Sequence, residues 1–141
     1  NNTLHNVLNN CTSLIHLGLG YDFNQKLELP TNIKSLSINS NNRCYVDYLP
    51  DNIEELELGL NFNLELCNFP SSIKKITFNK KSNYNRGLNC LPTELSILQL
   101  PYKYDKQIQN IPPSLTKLIC SKDYPDYPYY PNFLGVEICL Y

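Results

Sequence analysis

Apolar residues recur in one short signature. Two aliphatic residues alternate with a polar one, and a third aliphatic stands three positions earlier, behind a proline corner. Leu29-Pro30-Thr31-Asn32-Ile33-Lys34-Ser35-Leu36-Ser37-Ile38 recurs as Leu49-Pro50-Asp51-Asn52-Ile53-Glu54-Glu55-Leu56-Glu57-Leu58, and again as Phe69-Pro70-Ser71-Ser72-Ile73-Lys74-Lys75-Ile76-Thr77-Phe78. Further copies open at Leu91-Pro92 and Ile111-Pro112, where Leu95, Leu98, Leu100 and Leu115, Leu118, Cys120 hold the apolar places. Degenerate copies sit at both ends: Leu14, Leu17, Leu19 in the first, and Phe133, Val136, Ile138 in the last, with Pro131 displaced by one. The units start at 10, 29, 49, 69, 91, 111 and 129. Repeats of about twenty residues are the mark of a solenoid whose turns stack on one another. The period-two pair turns both aliphatic side chains to one face, which predicts a short half-buried strand in each turn. Stacking then predicts a parallel sheet rising about 4.8 Å per turn. Pro, with fixed φ and no N–H, suits the corner and not the strand.

The path between strands carries a second signature: an aromatic, then Asn or Asp, then an aliphatic three later. It occurs at Phe23-Asn24 with Leu27, Phe62-Asn63 with Leu66, Tyr84-Asn85 with Leu88 and Tyr104-Asp105 with Ile108; the second unit has Asn42 in the aromatic place and Tyr45 nearby. A stacked aromatic is expected to fill the wide part of the core, and the Asn to satisfy backbone groups of an irregular turn. Seven or eight residues to the next Pro leave no room for a helix with both corners, so turns, extended chain and 3₁₀ pieces are expected there.

Together these motifs resemble the FNIP repeat, a short variety of leucine-rich repeat, over about residues 10–138. The Leu-Pro-x-x-Leu corners at Leu91–Leu95 and Ile111–Leu115 also resemble the twenty-residue bacterial leucine-rich repeat. The fold expected is a leucine-rich-repeat solenoid, with short parallel strands on the concave side, turns and extended segments on the convex side, and little α-helix. Residues 1–9 are expected to form an N-terminal cap or the tail of an upstream repeat, 10–128 six repeats, and 129–141 a degenerate last repeat and C-terminal cap. At the start, Leu4, Val7 and Leu8 have helical spacing with Asn2 or Thr3 as N-cap; alternatively Leu8 closes a preceding turn. At the other end, the Tyr-Pro run from Tyr124 to Pro131 is read as an edge cover in preference to a proline-rich ligand. Because the chain opens at Asn1, a trimmed or longer parent protein is expected.

Composition narrows the function. The 141 residues include 23 Leu and 20 Asn but no Ala, which argues against a helical bundle. Twelve Lys+Arg against thirteen Asp+Glu leave no footprint for nucleic acid or an anionic membrane, and no run approaches the roughly 20 apolar residues of a membrane span. Neither is expected as a partner. The six cysteines contain no C-x-x-C, so no metal is expected and they read as small buried thiols. His5 and His16 are the only histidines, both N-terminal, and the five glycines are scattered singly without a phosphate loop. Glu55 and Glu57 form an outward acid pair with no cleft to perturb either. No catalytic residue and no cofactor is expected, and the chain is read as not an enzyme.

What remains is the outward face of the strands. Its predicted partner-binding positions are Ser37 and Asn39, Glu55 and Glu57, Lys75 and Thr77, Ile97 and Gln99, and Lys117 and Ile119, flanked by His16, Gly18, Ser35, Asn79 and Glu137. The isoleucines would anchor a protein partner and the charges set its register. The resemblance implies a non-catalytic interaction module of a cytoplasmic protein of an amoeba, or of a virus acting in the host cytoplasm. Some such proteins carry an upstream F-box and are suspected substrate-recognition arms of ubiquitin ligases. The alternative is a structural component of a larger assembly, with self-association through the end repeats.

Overall fold

The computed structural model describes residues 8, 10–25, 28–41, 48–125, 133 and 135–141. The Leu4–Val7 spacing, Asn42 and Tyr45, and most of the Tyr-Pro run lie outside these residues.

Each period-two pair forms a strand: β1 His16–Leu19, β2 Ser35–Ile38, β3 Glu55–Leu58, β4 Lys75–Phe78, β5 Ile97–Gln99, β6 Lys117–Cys120 and β7 Glu137–Leu140. They make one seven-stranded sheet in chain order, parallel throughout and in register. This is the leucine-rich-repeat solenoid that the repeat predicts. Leu36, Ile38, Leu56, Leu58, Ile76, Phe78, Leu98 and Leu118 are all sealed inside, while the residues between them face out.

The corner explains its own motif. Pro30, Pro50, Pro70, Pro92 and Pro112 each accept, through the carbonyl, the N–H of the aliphatic residue three later, which swings Ile33, Ile53, Ile73, Leu95 and Leu115 into the core. At four of these five corners an Asn or Ser two residues after Pro reaches back one turn, and Glu94 holds that place after Pro92. Asn32 donates to the Leu14 carbonyl, Asn52 to Thr31, Ser72 to Ile53 at 2.7 Å and Ser114 to Leu95 at 2.7 Å. Entering β2 to β6, one carbonyl takes two consecutive N–H groups of the next turn, as Glu54 takes Lys74 and Lys75. The corner's backbone is thereby satisfied by its neighbour.

On the opposite side the aromatics stack as expected: Phe62 to Tyr84 at 6.0 Å, Tyr84 to Tyr104 at 6.5 Å and Tyr104 to Tyr124 at 6.0 Å between ring centroids. Leu66, Leu88 and Ile108 are buried in the same core cluster. Tyr124 corrects the reading of the Tyr-Pro run at its first residue. It is the ladder's next rung, its N–H bonded to the Ser121 carbonyl as that of Tyr104 is to Pro101.

The last repeat is also corrected. Phe133, Val136 and Ile138 do not occupy the places of Leu115, Leu118 and Cys120. Ile138 pairs with Leu118 and Leu140 with Cys120, and the turn bond from Val136 N–H to the Phe133 carbonyl puts Val136 at the corner place of Leu115. One residue is missing between corner and strand, and accordingly the Thr116 carbonyl receives only the Glu137 N–H.

Candidate functional site

The sheet register sets the outward residues in two columns. The first runs His16, Ser35, Glu55, Lys75, Ile97, Lys117, Glu137, and the second runs Gly18, Ser37, Glu57, Thr77, Gln99, Ile119, Cys139. Nine of the ten predicted partner-binding residues therefore form one continuous face: Ser37, Glu55, Glu57, Lys75, Thr77, Ile97, Gln99, Lys117 and Ile119. Gln99 lies on the same face but donates through Nε2 to the Phe78 carbonyl at 2.9 Å, bracing the rung beneath. Asn39 belongs to the turn. Its Oδ1 accepts the Asn61 N–H at 3.1 Å, and a Cβ on Gly59 would collide with the Asn39 side chain, so only glycine fits there.

Charge is organised along these columns. Lys75 Nζ lies 3.6 Å from Glu55 and Lys117 Nζ 3.2 Å from Glu137. Hydrogen bonds from the Cys139 thiol and from Lys117 hold the Glu137 carboxyl below its ordinary range. A third column, not anticipated from the sequence, stands one residue upstream: Lys34 reaches Glu54 at 3.0 Å and Lys74 reaches the same carboxylate at 3.4 Å. The Lys34 hydrogen bond and charge, then those of Lys74, lower the Glu54 pKa. The signal was present, since Lys34, Glu54 and Lys74 hold the same place in successive copies of the motif. These pairs are exposed, and their part is to pattern the surface more than to stabilise it. Ile97 and Ile119 lie half-buried in this polar field.

The outer turns carry a second polar column. The Asn63 N–H donates to Asn41 Oδ1 at 2.7 Å, Arg86 Nε to the Asn63 carbonyl at 2.7 Å, and the Asp105 N–H to Asn85 Oδ1 at 3.1 Å. Asn85, of the aromatic-Asn motif, thus satisfies backbone of the next turn instead of its own.

Among the described residues no three His, Cys, Asp or Glu side chains are grouped to hold a metal ion, and no helix is long and apolar enough to cross a membrane. The cysteine reading needs correcting. Cys120 alone of the described thiols is buried; Cys11, Cys67 and Cys139 are half-buried and Cys90 exposed. Cys67 and Cys90 fall on the outer path ahead of their corners, outside the strand positions that feed the core.

With this geometry in place, the class of molecule is a leucine-rich-repeat solenoid presenting a ribbon of polar side chains with apolar inserts. Residues 23–61 and 41–81 of the chain match the family model described as FNIP Repeat. It is also similar to the crystal structure of CroV588, described as a novel circular LRR protein structure, with a TM-score of 0.61 and 27% identity. That likeness covers 80% of this chain and 21% of CroV588, so the chain spans about a fifth of that protein's length. No curated protein matches the sequence.

Proposed function

We propose that the chain is a non-catalytic protein-interaction module whose exposed sheet face holds the partner. The observation that carries this reading is the registered face itself, where Lys75, Thr77, Ile97, Lys117 and Ile119 set two half-buried apolar side chains among fixed charges. That mixture of an apolar anchor and a polar surround is what protein interfaces use. The FNIP resemblance extends the proposal: a cytoplasmic protein of an amoeba or its virus, serving as the substrate-recognition arm of an F-box-type ubiquitin ligase.

A second reading, a structural element of a larger assembly, draws on the C-terminal edge. There Ile138 is half-buried and Leu140 is 41% exposed, whereas their β6 counterparts are sealed. A further turn of solenoid would cover them, and in this reading another copy supplies it.

The test is affinity purification of the full-length protein from its native host, comparing the natural sequence with Glu57→Lys/Lys117→Glu on the face and Lys103→Glu on the outer turns. Recovery of a Skp1-like adaptor and a cullin, together with a client lost only in the face variant, supports the ligase arm. Recovery of the protein's own copies by all three baits supports the assembly reading and overturns the first.

A further inference from the structure

Cys67 and Cys90 are 23 residues apart, which in a solenoid of this pitch makes them neighbours on adjacent turns. Their sulfurs lie 3.4 Å apart. Both line one pocket of about 350 Å³, with Glu65, Leu66, Arg86 and Asn89 among its walls. Arg86 is anchored through Nε on Asn63, so it and Glu65 place one charge of each sign on the pocket wall.

From this arrangement the geometry points to a dithiol redox site, in which Cys67 and Cys90 exchange with a small peptide-type disulfide of the glutathione class and end as a disulfide between turns. Exposed Cys90, as thiolate, attacks one sulfur of the small disulfide. A Cys90–S–S–R bond forms, the small molecule's own S–S bond breaks, and one thiol leaves as R–SH once protonated. Cys67, as thiolate, then attacks the Cys90 sulfur, and the second R–SH leaves. Two protein thiols are oxidised, one small disulfide is reduced to two thiols, and the two protons pass to the leaving groups. The opposed charges of Arg86 and Glu65 match the zwitterionic end of such a peptide. Bringing the two sulfurs to a bond length of about 2.0 Å asks for a movement of little more than an ångström from side chains on an irregular outer path.

The product is a covalent tie between successive turns. Closing a loop of this length restricts the unfolded chain, and the melting temperature is expected to rise by about 5 °C or more on oxidation.

The experiment incubates the purified chain with oxidised glutathione, quenches by alkylation and maps non-reduced peptides by mass spectrometry. The expected result is a peptide pair joined through Cys67 and Cys90, opened again by dithiothreitol, with the melting temperature raised in the oxidised sample. Cys67→Ser is expected to stop at the first step, with one glutathione retained on Cys90, and Cys90→Ser to give no Cys67 cross-link. The proposal is overturned if glutathione remains on Cys90 of the natural sequence without a cross-link, if both thiols stay alkylatable, or if another cysteine, Cys44 included, takes the place of either partner. Because the decisive arm uses the unsubstituted chain, the cross-link is decided even where a variant misfolds.

Discussion

The middle rung and the last rung obey the same motif and meet different surroundings. On β3, Leu56 and Leu58 have a strand on either side and are sealed. On β7, the homologous Ile138 and Leu140 have β6 on one side only; the first is half-buried and the second exposed. β7 is held by other means. Lys117 pairs with Glu137, and the Tyr141 hydroxyl donates to the Leu100 carbonyl two turns back. The Tyr141 ring meets Tyr102 edge-on at 4.6 Å and lies 4.4 Å under Lys80 Nζ. A solenoid side chain therefore owes its burial to its neighbours more than to its own repeat, as expected where each turn contacts only the next.

The sharpest way to break this comparison is one substitution in each rung. Leu56→Asp puts a carboxylate into a sealed core and is expected to unfold the domain, a loss of several kcal/mol. Leu140→Asp should cost under about 1 kcal/mol, since its side chain already meets water. Chemical denaturation followed by circular dichroism measures both. Equal losses would mean that β7 is as enclosed as β3.

The same contrast shows how far the sequence could be read. Period-two alternation with a proline corner yields the strands and their register because each copy repeats the same steric problem. Reading failed where a copy departs from its neighbours. The seventh repeat lost one residue between corner and strand, so matching Phe133 to Leu115 displaced the whole triplet, and Tyr124 was hidden in a run whose prolines suggested a separate cap. Contacts between turns were harder still. The Lys34–Glu54–Lys74 column and the Cys67–Cys90 pair join residues about twenty apart, a separation that carries meaning only once the repeat is used as a ruler. The face itself was legible as a set of outward positions; what docks on it depends on a partner whose shape no residue here encodes.

Alkaline pH probes the aromatic side of the molecule as a whole. Burial raises the ionisation of Tyr84, Tyr104 and Tyr141 well above the ordinary tyrosine value of 10.0. These hydroxyls stay protonated in the folded state while they ionise freely in the unfolded one. Their contribution is therefore fully present below pH 10 and is lost as pH rises beyond it, by up to about 1.4 kcal/mol per pH unit for each of the sealed Tyr84 and Tyr104 and by less for the half-buried Tyr141. Urea midpoints measured from pH 8 to 11 should hold level and then fall steeply. A Tyr84→Phe/Tyr104→Phe protein should fall less steeply, and an unchanged slope would place those rings in water.

Within the ladder, two tyrosines at equivalent places should answer one substitution with opposite signs. The Tyr124 hydroxyl donates to the Lys106 carbonyl at 3.0 Å, so Tyr124→Phe should cost about 1 kcal/mol. The buried Tyr84 hydroxyl has no hydrogen-bond partner among the described residues, so Tyr84→Phe relieves a desolvated polar group and should raise stability by about 1 kcal/mol. Thermal melts of the two single variants decide it, and a loss in both would mean that Tyr84 has a bound water or a partner.

The smallest expected effect lies on the sheet face. Glu57 sits on the middle rung between Ser37 and Thr77, exposed, with both inward neighbours on its strand sealed. Its side chain points away from the core that makes Leu56 indispensable, so Glu57→Lys should change stability by no more than about 0.5 kcal/mol. Adjacent residues of one strand would then differ roughly tenfold in their consequences, the whole difference set by which face of the sheet each occupies. A melting temperature within a degree or two of the natural protein, together with altered retention of a bound partner, would separate the role of this face from the stability of the solenoid. Unfolding by Glu57→Lys would show instead that the face is covered within the molecule and is not offered to a partner at all.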